Sequence, residues 1–420
     1  MTTTVPSPDR RVVLTGVGVV APNGLTAADW WQATTAGRSG IGQITRFDTT
    51  KYAAKLAGEV DGFEPTDYIE QRLIVQTDRW TWMALAATQM AFDDAAYDPA
   101  EHEPYSMSVI TASSSGGNDF GQKEIQNLWG KGPIFVGAYQ SIAWFYAATS
   151  GQIGIKHGLK GASGVVLAEG AGGLEAIAHA RRAIRRGIDT VVTGGLEAPI
   201  GPYALTCQLM NGRMSHATDA ADAYRPFDKR ANGYVMGEGG AIILAESLQQ
   251  ARERNAPQLY AEVAGYGATN DAHHWGRPAP DGHQYARAMR VALDNAGVAL
   301  EEVDVIFADA AGVPEDDAIE AKAIKDVFGN RTTAVPVTAP KTTVGRLYAG
   351  GAPLDVAAAV FAMRDGVIPP TINLDEPADG NDLDFVTGKA RKADVRTALV
   401  TARGYGGFNS ALVLRTVDSA

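Results

Sequence analysis

Val165–Gly187 reads VVLAEGAGGLEAIAHARRAIRRG. The stretch opens on an apolar run that predicts a strand, passes through a tight turn of small residues, and continues as a helix. Arg181, Arg182, Arg185 and Arg186 crowd the last turns, where cations complement the helix dipole, and Gly187 stands where such a helix ends. The arginine cluster reads as a solvated helix end. A strand–turn–helix of this kind presents its turn residue beside the helix N-terminus, where a dipole worth about half a unit charge would activate a thiolate. The residue in that place is Gly170, which has no side chain to activate.

The same alternation extends in both directions. Arg11–Val20 predicts a buried strand stopped by Pro22-Asn23-Gly24. Thr81–Ala95 predicts a helix, and Ser106–Ala112, Thr190–Gly194 and Ala241–Leu244 predict strands. From about Leu259 the pattern restarts with strands at Tyr260–Tyr266 and Val303–Ala308 and helices at Gln284–Ala296 and Asp316–Val327. Ala334–Val337, a helix at Pro353–Arg364, and strands at Thr397–Ala402 and Ser410–Arg415 complete it. The reading is an α/β chain of two topologically similar halves, 11–257 and 258–420, meeting near Gln249–Pro257, after a disordered lead-in at 1–10. Such alternation implies sheets covered by helices.

Composition narrows the function. The 420 residues include 47 glycines, with 45% hydrophobic and 20% charged side chains, which suits a large α/β core with many tight turns. A net charge of −11 argues against nonspecific nucleic-acid binding. A single cysteine excludes an internal disulfide and fits a reducing cytoplasm, the expected location. The opening MTTTVPSPDRR lacks the apolar core of a signal peptide, and no apolar run reaches about 18 residues, so no membrane span is expected.

Three local signals have ordinary explanations. Gly16–Ala21 matches the dinucleotide pattern G-x-G-x-x-A, but Pro22-Asn23-Gly24 forces a turn where that motif needs a helix. Cys207, in GPYALTCQLMNGR, lies outside any strand–helix elbow and reads as a buried or interface thiol. His273 and His274 are adjacent, point to opposite faces if extended, and have no Cys or carboxylate cluster near them in sequence. They read as part of a structured loop with Trp275 and Pro278, and no metal is expected.

Further segments add specificity: PFDKRANGYVMGEGGAIILAE (226–246), the opening VVLTGVGVVAPNG, Thr269–Gly282, and the closing RGYGGFNSALVLR (403–415). Together they resemble the β-ketoacyl synthases of the thiolase superfamily over essentially the whole chain. The resemblance implies a thiolase-like duplicated α-β-α-β-α layered fold. It also implies a catalytic cysteine and two histidines at positions that read Gly170, Asp309 and Arg346 here. Cysteine in such enzymes is nucleophile and leaving group, and the histidines stabilise an enolate oxygen. An aspartate at 309 is expected to repel that enolate. The segment Ala168-Glu169-Gly170-Ala171-Gly172-Gly173-Leu174 is similar to the A-E-Q-A-G-G-L of chain length factors, the ketosynthase β subunits of bacterial type II aromatic polyketide synthases, with glycine replacing the usual glutamine.

That resemblance implies a subunit without catalytic residues or cofactor, pairing obligately with a ketosynthase α subunit. An acyl carrier protein would deliver malonyl units on its phosphopantetheine to the partner, and the growing polyketide chain would enter a tunnel shaped by this subunit. The family places length control at the dimer interface, where Ser114–Trp129 aligns. Read as a helix from Asn118, with Asp119 and Gln122 in capping-box-like spacing, it sets Asn118, Gly121 and Ile125 on one face. Their modest size implies a deep tunnel and a product longer than an octaketide. Tyr203 and Leu205, in a GPYALT loop, are expected to supply a second wall, and the apolar Ser141–Tyr146 segment, with Trp144, Phe145 and Tyr146, the subunit interface. The remaining alternatives are a self-sufficient condensing enzyme using Cys207, and a binding or scaffold protein on an inactive fold.

Overall fold

The computed structural model describes residues 10–417. Residues 1–9 of the expected lead-in lie outside them. Arg10, at its end, is anchored: its guanidinium donates to the carbonyls of Ile184 and Ile188 at 2.9 Å and pairs with Asp189.

Eleven strands form one continuous sheet. The first half contributes β1 (Val12–Val20), β2 (Met107–Ala112), β3 (Gly164–Val166), β4 (Thr190–Glu197) and β5 (Gly239–Ser247) in the order β3-β2-β4-β5-β1. The second contributes β6 (Ala261–Asn270), β7 (Val305–Phe307), β8 (Pro336–Thr338), β9 (Asp384–Phe385), β10 (Thr397–Gly404) and β11 (Phe408–Arg415) in the order β6-β11-β10-β7-β8-β9. Each half repeats one pattern: a parallel trio (β3-β2-β4; β8-β7-β10) followed by two antiparallel strands. The halves join where Val13 and Leu14 pair with Glu262 and Ala261.

The strands are apolar almost without interruption because helices cover both faces. Along β5, Ile242 and Leu244 pack on one side with Trp80, Met83 and Phe92 of α1 (Arg79–Asp94), while Ile243 and Ala245 point to the other. That other side is shared. Leu174 and Ile177 of α3 (Gly172–Arg185) and Val356 and Val360 of α7 (Gly351–Asp365) lie between β5 and strands such as β10, whose Val400 faces them. Beyond β10 and β7, Leu399 and Ile306 meet α5 (His283–Ala296) and α6 (Pro314–Phe328) through Met289 and Ile324. Five layers result, helix–sheet–helix–sheet–helix, in which the two halves of the continuous sheet form the two sheet layers, the expected thiolase-like α/β architecture. Gly173 shows how tightly the middle helices meet: a Cβ there would stand 2.2 Å from Pro353 Cδ.

The strand expected over Arg11–Val20 is present, and the reading of Arg181 changes. Gly16 and Gly18 belong to β1, which runs through them as strand, and a Cβ at either would strike the carbonyl oxygens of Ala91 or Ala87 on α1. They permit helix–strand contact and bind no nucleotide phosphate. Arg181 is not solvated; it is buried and donates to Ala264 O at 2.6 Å and Asn295 Oδ1 at 2.9 Å, tying α3 to the second half. Among the described residues no helix is long and apolar enough to cross a membrane.

Candidate functional site

Two turns of matching geometry lead into the two middle helices. Glu169, with φ 47°, opens the turn 169–171 before α3, and Tyr348, with φ 51°, opens 348–350 before α7. Left-handed backbone is uncommon for non-glycine residues, and its recurrence at equivalent places reflects the duplication. Gly170 follows Glu169. A Cβ built on it would lie 2.4 Å from Arg403 O and 2.9 Å from Arg346 Nη2, so the space a nucleophile would need is occupied.

What occupies it is an ion-pair network. Arg346 Nη2 lies 3.2 Å from Glu169 Oε2 and donates to Arg403 O at 3.2 Å, while its Nη1 is 3.6 Å from Asp309 Oδ2. Arg403 Nε approaches the same Asp309 oxygen at 3.7 Å, and its backbone N–H donates to Asp309 Oδ1 at 3.0 Å. Beneath them Glu320 accepts from the amides of Asp309 and Ala310 at 2.8 Å and from Tyr285 OH at 2.9 Å. Burial would push Asp309 up, but the charges of Arg346, Lys341 and Arg403 outweigh it and hold the carboxyl below the usual range. Burial likewise pulls on Arg346, and Glu169 and Asp309 more than compensate, keeping it firmly cationic. The negative charge at 309 is therefore neutralised internally, which corrects the expectation of a carboxylate repelling an enolate. Gly170, Asp309 and Arg346 do converge, but on a packed cluster without thiol or imidazole.

Above this cluster a cavity reaches Arg213, Trp275 and Tyr405 and opens into a groove of about 650 Å³ carrying Met210, His273, His274 and Arg277. His274 Nδ1 accepts from Gly276 N at 3.0 Å and its ring stacks on Trp275. Among the described residues no group of three or more His, Cys, Asp or Glu is placed to hold a metal ion.

A second pocket, about 220 Å³, lies between α2 (Asn118–Lys131) and α4 (Pro202–Leu209). Ser114, Ser115, Asn118, Tyr203, Cys207 and Tyr348 are among its walls. Asn118 and Tyr203, both expected at the length-controlling end, are thus brought together, and Gln122 Oε1 accepts Tyr203 N at 2.9 Å. Other expected members fall elsewhere. GPYALT forms a helix, with Pro202 at its first position; Tyr203 and Cys207 face the pocket, whereas Leu205 is wholly buried in the core. Ile125 is exposed and lines no part of the pocket. Gly121 is covered: a Cβ there would meet Trp144 Cδ1 at 3.0 Å. The capping box does not form; Asp78 Oδ2 caps α2 from α1's end by accepting Phe120 N at 2.8 Å. Cys207 is exposed rather than buried, and the pocket walls include no histidine to activate it.

The beta-ketoacyl synthase N-terminal domain matches residues 9–251 and its C-terminal domain matches 260–375. The chain belongs to the beta-ketoacyl synthase family. Within that family it is 52% identical over 405 residues to the tetracenomycin polyketide synthase ketoacyl synthase beta subunit of Streptomyces glaucescens, covering 96% of this chain and 98% of the relative. The solved ishigamide ketosynthase/chain length factor superposes with a TM-score of 0.91 at 32% identity, covering 97% of this chain and 100% of that one. A type II polyketide synthase acyl-carrier protein in complex with its ketosynthase bound to the hexaketide matches with a TM-score of 0.88 at 27% identity, over 97% and 100%.

The segment 129–145 of this ketosynthase-family chain exposes several large apolar side chains. Trp144 and Phe145 are exposed, with Trp129 82% and Ile134 87% accessible beside them in sequence, and Tyr146 is half-buried. Trp144 tilts against Tyr146 at 6.0 Å. Large apolar side chains left exposed in a single chain are a feature of contact faces. Three residues matter that the sequence reading passes over. Arg403 and Glu169 complete the ion network, and Tyr348 joins the pocket. The signal that would have found Tyr348 is the repeat itself, since it stands where Glu169 stands in the other half.

Proposed function

We propose that this chain is the non-nucleophilic chain length factor of a type II polyketide synthase. It pairs through its apolar face with a catalytic ketosynthase α subunit, and its pocket shapes the tunnel that sets the length of a poly-β-ketone. The observation that carries the reading is the pairing of Arg346 with Asp309 and Glu169 over Gly170, which leaves no group able to form a carbon–carbon bond. Similarity to a ketosynthase beta subunit and to a ketosynthase/chain length factor supports the pairing. Similarity to a ketosynthase solved with its acyl-carrier protein supports delivery of malonyl units by such a carrier. The chain uses no cofactor of its own; the carrier's phosphopantetheine serves the partner. Its place is the cytoplasm. The expectation of a product longer than an octaketide now rests on Asn118, because Trp144 fills the room beside Gly121.

Coexpression with a ketosynthase α subunit and malonyl-loaded carrier protein tests this. Polyketide should form only when both subunits are present and copurify. Synthesis unaffected by omitting this chain, or an acyl adduct on it during turnover, would overturn the reading.

A further inference from the structure

We propose that Tyr348 is a specificity-determining residue of the interface pocket, donating its hydroxyl hydrogen to a ketone oxygen of the growing chain. The inference rests on the reading just given and deepens it. Tyr348 lines the pocket that holds Asn118 and Tyr203, is only 3% accessible, and its hydroxyl has no hydrogen-bond partner. A buried hydroxyl without a partner has given up its hydration for nothing in return, so a group kept in that state calls for an occupant that completes it. The left-handed backbone at Tyr348, unusual for an aromatic residue, fixes the ring at the wall of the pocket, two residues from Arg346. Burial also keeps the phenol protonated, hence a donor.

The rest of the lining identifies the chemistry. Ser114, Asn118 and Tyr203 present hydroxyls and an amide, while the Ser115 hydroxyl is held by Glu197 and Gln208 Oε1 by Tyr234. A saturated hydrocarbon chain would strip water from these groups and return nothing. A poly-β-ketone carries an oxygen on every second carbon and supplies acceptors along its length. The pocket is therefore matched to an oxygenated chain over a fatty acyl chain, and Tyr348, the most enclosed of its polar groups, reads the oxygen that penetrates deepest.

The test compares heterodimers carrying Tyr348→Phe and Ala204→Phe with the parent, at equal amounts of copurified complex, by mass spectrometry of products from malonyl carrier protein. Y348F keeps the ring and loses only an unpaired hydroxyl, so the thermal midpoint should rise and copurification should be unchanged. The ratio of full-length to shorter products should fall about three- to tenfold. Ala204 also lines the pocket, and a phenyl group there should shorten the product by occupying it. An unaltered length distribution with Y348F sinks the hydrogen bond, and an unaltered one with A204F sinks the occupancy. Omitting the subunit separates these failures from failure of the function itself. If synthesis needs the subunit and both variants behave as the parent, only the assignment of Tyr348 and its pocket falls.

Discussion

Arg346 stands between Asp309, 3.6 Å away, and Glu169, 3.2 Å away, in the space directly over Gly170. A guanidinium buried between two carboxylates converts a cavity suited to chemistry into an internal brace. Such a cluster is worth keeping intact mainly because its parts are costly to separate. Removing one charge strands the others in a low-dielectric interior, whereas replacing the whole set by apolar groups can be nearly neutral.

Arg346→Met should therefore destabilise the chain by about 3–5 kcal/mol. The double variant R346M/D309N should lose less than the sum of the two single losses, because the first change already unpairs the second residue. Urea unfolding of the four proteins measures both quantities, and strict additivity would contradict the described coupling.

Gly170→Cys restores the nucleophile of the family in name only. Its Cβ meets the Arg403 carbonyl, so a loss of about 1–3 kcal/mol from overpacking is expected. No condensation and no stable acyl adduct should appear in intact-mass spectra. A catalytically competent G170C subunit would refute the view that Arg346 and Arg403 have closed the centre.

Glu197 sets a pH dependence. Burial pushes its carboxyl up to about 7 from an ordinary 4.5, although hydrogen bonds from Ser115 and Ser114 oppose the shift. The folded chain then holds a proton that the unfolded chain releases. The associated stability is fully present below pH 4.5, declines as pH rises to 7, and is absent above that. Over this window the loss from this group is up to ~3 kcal/mol. Asp78, raised to about 7 by burial, adds a decline of the same sign. Glu197→Gln should flatten the curve and leave the variant more stable than the parent at pH 8. Parallel stability curves for E197Q and the parent between pH 5 and 8 would contradict this. The same carboxylate holds the Ser114–Ser115 corner of the pocket.

Trp144 is exposed in the single chain and sits on Gly121. If the proposed interface is right, replacement of Trp144 by alanine should weaken heterodimer formation by at least ~2 kcal/mol, about thirtyfold in Kd, with little change in the fold of the free subunit. Analytical ultracentrifugation of the coexpressed pair checks this. Undiminished association would move the interface elsewhere.

Where burial alone shapes the chain, the sequence sufficed. Ile242 and Ile243 sit in a run apolar on both faces, which only a covered sheet tolerates, and the middle helix at Gly351–Asp365 is apolar nearly all round. The site was less legible. Gly-Pro in GPYALT reads as a loop although proline at a first helical position starts α4, and without the helix nothing told which side Leu205 faces. The bond between Arg346 and Glu169 spans 177 positions, a separation at which spacing carries no information. Asp309 looked like an unpaired charge because its two cations arrive from other strands and turns.

The middle helices have one further consequence. α3 and α7 come from different halves, yet both press into the same apolar interior, close enough at Gly173 and Pro353 to exclude a methyl group. Each half has its own outer core, but the central interior belongs to both. Severed between β5 and β6, each fragment would keep its own middle helix but bare that helix's far flank to water, so the two repeats, however alike in plan, are expected to fold only as a single cooperative body and to be recovered from split genes only when both pieces are made together.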